Sequence, residues 1–108
     1  MEKQILEELV QGLLAFLEKT AVRIVLFGST ARGTAGPESD IDVALFLTER
    51  LTPAQEERLS DLVVELNLKY DKVLSVMDID QETYMKWRQI APFYQNVDRE
   101  GVVLWKAA

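Results

Sequence analysis

The sequence contains no cysteine and no histidine. The first absence excludes disulfides and thiolate metal sites. The second removes Ser-His and Cys-His nucleophilic catalysis, the usual zinc ligand sets and the commonest general base at neutral pH. Any chemistry must rest on carboxylates, Lys and Arg, hydroxyls and backbone amides. Basic residues are also in deficit, 12 against 18 acidic ones, for a net charge of -6. Such a surface repels polyanions, so no direct nucleic-acid contact is expected. No apolar run approaches the length of a membrane span. The opening MEKQILEELV lacks the basic-then-apolar order of a signal peptide, so a soluble, cytoplasmic protein is expected. The 108 residues, 48% of them apolar, suit one domain over 1–108 with its own core.

Ile5, Leu6, Leu9, Val10, Leu13, Leu14 and Leu17 recur at helical spacing and predict an amphipathic helix over about 2–19. Val22–Phe27 (VRIVLF) is β-branched and apolar and stops at Gly28, as a buried strand would. Residues 28–39 (GSTARGTAGPES) predict a loop with room for one helical turn, and DIDVALFL, 40–47, a second strand. Thr52-Pro53-Ala54-Gln55 reads as a capping box that opens a helix to about Tyr70. A third strand is predicted over 71–79, then a helix from Asp80 through Ile90, broken by Pro92. A short helical piece at 93–99 and a last strand at 101–105 complete the order. The fold class is α/β (α+β), a small mixed β-sheet flanked by helices; a twelve-residue connection leaves the first strand pair parallel or antiparallel. Trp87, Trp105, Phe93 and Tyr94 are expected in the core.

Three features within this frame carry chemistry. Gly28-Ser29 at a strand's end lets the backbone approach a ligand closely, and a helical start there presents free N–H groups to phosphate. Thr30 adds a hydroxyl and Arg32 a charge. The alternative is a plain turn. Asp40 and Asp42, at i and i+2, project to one face of the second strand, about 6–7 Å apart along the backbone. Two such carboxylates repel unless a cation neutralises both, which suits Mg²⁺ with nucleotide phosphates completing its shell; the alternative is a solvated strand face. Ile41 and Val43 point into the core and set the pair's direction. Asp71, at the start of the third strand, is a candidate third carboxylate for a second metal or a proton. Gly28–Gly33 also fits the first half of a P-loop, but Thr34 and Ala35 stand where Lys and Ser/Thr are required, so that reading fails. No G-x-G-x-x-G is present.

Gly28-Ser29-Thr30-Ala31-Arg32-Gly33 followed by Ser39-Asp40-Ile41-Asp42 closely resembles the GSxARG…SDxD signature of the DNA polymerase β-like nucleotidyltransferase superfamily. The compact length is similar to its minimal nucleotidyltransferase (MNT) branch, as is the Pro92–Val102 ending. The resemblance implies the polymerase β-like fold, with ATP or another NTP bound at Gly28, Ser29, Arg32 and Ser39. It implies two Mg²⁺ ions held by Asp40, Asp42 and a third acid on a later strand, Asp71 before Asp78 as its competitor. Pyrophosphate would leave as an acceptor hydroxyl attacks the α-phosphate. MNT proteins are similar to antitoxins of two-gene modules with a HEPN ribonuclease, so the implied acceptor is a hydroxyl of that partner protein. An acidic surface suits a basic partner. A non-catalytic antitoxin that blocks its partner sterically, and transfer to a small molecule, are the alternatives. An oligomer is compatible with either.

Overall fold

A computed structural model describes residues 2–34, 36 and 39–108. The parts of the expected 28–39 loop at 35, 37 and 38, and position 35 of the P-loop comparison, lie outside the described residues. The elements are α1 (Glu2–Leu17), β1 (Ala21–Phe27), α2 (Gly28–Arg32), β2 (Ile41–Leu47), α3 (Pro53–Tyr70), β3 (Leu74–Asp80), α4 (Gln81–Trp87), α5 (Pro92–Glu100) and β4 (Val102–Lys106). The sheet runs β3-β2-β1-β4. β1 pairs antiparallel with both β2 and β4, and β3 lies parallel to β2. The expected mixed sheet is present, and the open question about the first pair resolves as antiparallel.

Alternation along β2 sorts the core into two layers. Ile41, Val43, Leu45 and Leu47 face the side covered by α1 and α3, with Ile5, Leu9, Leu13, Leu17 and Leu66. Ala44 and Phe46 face the other side, with Ile79, Tyr84 and Val97 from β3, α4 and α5. A β2 buried on both faces is the reason its sequence is so continuously apolar. Asp42 shares the phase of Ala44 and Phe46, at the end of β2 where that second layer stops. No helix among the described residues is long and apolar enough to cross a membrane.

The helix starts follow their sequence signals. Thr52 accepts from the Gln55 backbone N–H at 3.2 Å while the Gln55 side chain accepts from the Thr52 N–H at 2.9 Å, and Pro53 follows at the first helical position. Two donors that α3 leaves without helical partners are thus satisfied. Thr52→Ala removes one of these bonds and should lower stability by about 1 kcal/mol, read as a fall in the urea midpoint with unchanged slope. Asp80 caps α4 in the same way, accepting from the Thr83 N–H and hydroxyl.

Two expectations need correction. The third strand begins at Leu74, not at 71, because α3 runs to Tyr70 and then ends in a left-handed turn. Asp71 is the residue of that turn (φ 52°, ψ 47°), its N–H donating to the Asn67 carbonyl. An aspartate tolerates this conformation better than most side chains, so no glycine marks the helix end. Trp87, expected inside, closes α4 with 45% of its surface exposed, whereas Phe93 and Tyr94 pack against the second core layer.

Candidate active site

β1, α2 and the start of β2 converge at one end of the sheet. β1 runs straight into α2, and Gly28 makes the corner with φ +76°. A side chain there would be strained, and its Cβ would lie 2.5 Å from Asp42 Oδ2. Glycine is needed at this position for both reasons. Phe27 does not cap α2 with its side chain, so the first backbone N–H groups of the turn have no intrahelical acceptor. Gly33, also at φ +76°, closes the turn, and its N–H donates to Thr30 at 3.2 Å.

Asp40 immediately precedes β2 and is exposed; Asp42 lies within it and is partly buried. The Thr30 hydroxyl donates to the Asp40 carbonyl at 3.4 Å, tying α2 to the entrance of β2. The Ser39 hydroxyl accepts from the Gly36 N–H at 2.9 Å, so Ser39 shapes the loop before the pair. Burial raises the Asp42 carboxyl above its ordinary pKa, and the Asp40 charge raises it further. Among the described residues the ion pairs are Arg23–Asp98, Arg32–Glu100 and Lys69–Glu8; none involves Asp40 or Asp42. Two neighbouring carboxylates without a protein cation, one of them disfavoured in its charged form, have the donor chemistry for a hard divalent ion.

The other expected site residues are placed differently. Arg32 pairs with Glu100 at the end of α5, at 3.0 Å. This partner was not readable from sequence, because it lies 68 residues away. Asp71 sits in the turn after α3. Asp78 aligns with Leu45, which puts it on the α1/α3 side of the sheet, opposite to Asp42. The β3 residue beside Asp42 is Ser75. Among the described residues no third acid, cysteine or histidine joins the pair in a group able to hold a metal ion.

α5 braces the site from behind. Arg23 of β1 donates to Asp98 at 3.1 Å, and the Tyr84 hydroxyl donates to the same carboxylate at 2.8 Å. The Arg23 guanidinium also stacks over the Phe46 and Tyr84 rings, 4.1 and 4.9 Å from their centres. Phe27, the residue before the corner, meets Phe93 of α5 edge-on at 5.5 Å. Arg23 is thus a structural anchor between β1, α4 and α5.

Comparison with known proteins agrees with this geometry. Residues 3–97 match the nucleotidyltransferase domain family. The chain is 32% identical over 107 residues to the candidate protein adenylyltransferase MJ0604 of Methanocaldococcus jannaschii, covering 96% of this chain and 98% of that protein. Among solved structures, the spectinomycin adenyltransferase AAD(9) of an Enterococcus, solved with ATP and spectinomycin, superposes with a TM-score of 0.80 at 15% identity. That match covers 98% of this chain and 56% of the enzyme. A structure of a tri-AMPylated Shewanella oneidensis HEPN toxin in complex with its MNT antitoxin matches with a TM-score of 0.60 at 21% identity, over 99% of this chain and 74% of the matched one. These two likenesses show the shared fold. The family match over most of the sequence, with the near full-length relative, places the chain in the nucleotidyltransferase domain family, as a nucleotidyltransferase.

Proposed function

We propose that the protein transfers AMP from ATP to a hydroxyl of a partner protein in the cytoplasm, as the antitoxin of a HEPN-type pair. The observation that carries this reading is the packing of the Gly28 corner against Asp42, together with near full-length similarity to a candidate protein adenylyltransferase. The fold shared with an MNT antitoxin solved beside its AMPylated toxin supports the choice of partner. The net charge of -6 favours encounter with a basic partner.

Asp40 and Asp42 would hold Mg²⁺, which when bound supplies charge neutralisation to the ATP phosphates and polarises the reacting phosphoryl group. The backbone N–H groups at Ser29 and Thr30 would take phosphate oxygens, with the Gly28 corner allowing their approach. Ser39 would keep the Asp40 loop in place through Gly36. Arg32, at the end of α2 and half-exposed beside Glu100, would add charge to the same turn. Catalysis of this kind is largely positioning and electrostatics, which suits a chain without histidine.

Incubation with labelled ATP, Mg²⁺ and a HEPN-type partner should add the mass of AMP to the partner. Asp40→Asn should abolish the addition. Unmodified partner under these conditions, with the toxin still neutralised, would leave steric blocking as the function. Modification of an aminoglycoside instead would move the acceptor to small molecules; AAD(9), the fold relative that carries that possibility, is matched over 56% of its length.

A further inference from the structure

We infer that this chain's own carboxylates hold one divalent ion with the nucleotide, not two, because Ser75 stands where a third carboxylate would be needed. The inference rests on the proposed nucleotide site and concerns how many ions it binds. In the parallel β2–β3 pair, Asp42 aligns with Ser75. Aligned residues on neighbouring strands project from the same face, with strands ~4.8 Å apart. A side chain at 75 is therefore the neighbour that β3 offers to the Asp42 carboxylate. It is exposed but carries a neutral hydroxyl.

The remaining acids near β3 do not substitute. Asp78 and Asp80 lie on the opposite face, in register with Leu45 and Leu47, and Asp80 caps α4. Asp71 is four residues before Ser75, in the left-handed turn that ends α3. Among the described residues, nothing completes a group of three around Asp40 and Asp42.

Charge then decides the count. Two divalent ions in a shared site sit ~3.5–4 Å apart and repel strongly unless several anionic oxygens lie between and around them. An ion chelated by the triphosphate brings its own counter-charge and needs only the existing pair. An ion on the acceptor side has little phosphate to lean on and depends on protein carboxylates. Asp40 and Asp42 supply two negative charges for both ions together. A hydroxyl at 75 adds none, whereas an aspartate there would add the third.

The test counts ions per bound nucleotide. Equilibrium dialysis with Mn²⁺ and α,β-methylene ATP, read by electron paramagnetic resonance, should give one protein-bound Mn²⁺ per bound nucleotide for the wild type and for Ser75→Ala. Ser75→Asp should double the ratio to two. A wild-type ratio of two, or Ser75→Asp remaining at one, would overturn the inference. Loss of the ion in Ser75→Ala would also overturn it, by making the hydroxyl itself a ligand. A wild type that binds no nucleotide with Mn²⁺ present would refute the proposed site itself, a result distinct from any ion count.

Discussion

Asp42→Asn should weaken Mg²⁺-dependent nucleotide binding at least about 100-fold, equivalent to ~2.7 kcal/mol, while making the metal-free protein more stable at neutral pH. The two effects have one origin. Asp42 is partly buried beside Asp40, and both its burial and that neighbour raise its pKa. A carboxyl whose pKa is raised by folding stabilises the native state fully below its unfolded value; that contribution is lost as pH rises through the folded value. At neutral pH the metal-free wild type has lost it, and the asparagine, which never ionises, has not. The Tm advantage of Asp42→Asn should therefore grow from acid to neutral pH and disappear below the ordinary carboxylate range. Saturating Mg²⁺ and nucleotide should reverse the order, because only the wild type gains from binding. Calorimetry across pH, with and without ligand, checks both halves. A wild type more stable than the variant at neutral pH without metal would contradict the account.

Gly28→Ala should impair the site by a different route. The corner requires φ +76°, and the added Cβ would meet Asp42 Oδ2 at 2.5 Å. The backbone strain costs ~1 kcal/mol. The clash can be relieved only by turning the Asp42 carboxylate away from Asp40 or by opening the corner, and either spoils the pair. Stability should fall by about 1–2 kcal/mol and nucleotide affinity by more than tenfold. Gly33→Ala separates the two contributions. It has the same φ, and its Cβ would meet no described atom within 4 Å, so it should cost the strain alone, about 1 kcal/mol, and leave nucleotide binding nearly intact. Equal loss of binding in the two variants would show that the corner's geometry, rather than contact with Asp42, is what matters.

Much of this arrangement was legible in the sequence, because its signals are local. Alternation in IDVALFL directed Ile41 and Val43 inward and Asp42 to the other face, and Thr52 to Gln55 spelled out the start of α3. What escaped depends on residues far apart or on geometry without a residue signature. Asp71 looked like the start of a strand, since α3 ends there without a glycine. The phase of β3 relative to β2, which puts Ser75 rather than an acid beside Asp42, is a property of the pairing and not of either strand. Arg32 had a good position for phosphate, but nothing nearby announced Glu100. Trp87 is the last residue of α4 and half-exposed, a position that its aromatic character alone does not reveal.

The bracing of the glycine corner by α5 has a consequence for synthesis. β1 and α2 are made before α5 and β4, yet Arg32 finds Glu100 only 68 residues later, and β1 gains its second neighbour, β4, later still. At roughly 5–20 residues per second the nascent chain spends several seconds with the nucleotide turn unbraced and one edge of β1 unpaired. The turn that is to hold the phosphates takes its final support from residues made well after it. Truncation within α5 or β4 would therefore remove the scaffold of a site that lies many residues upstream.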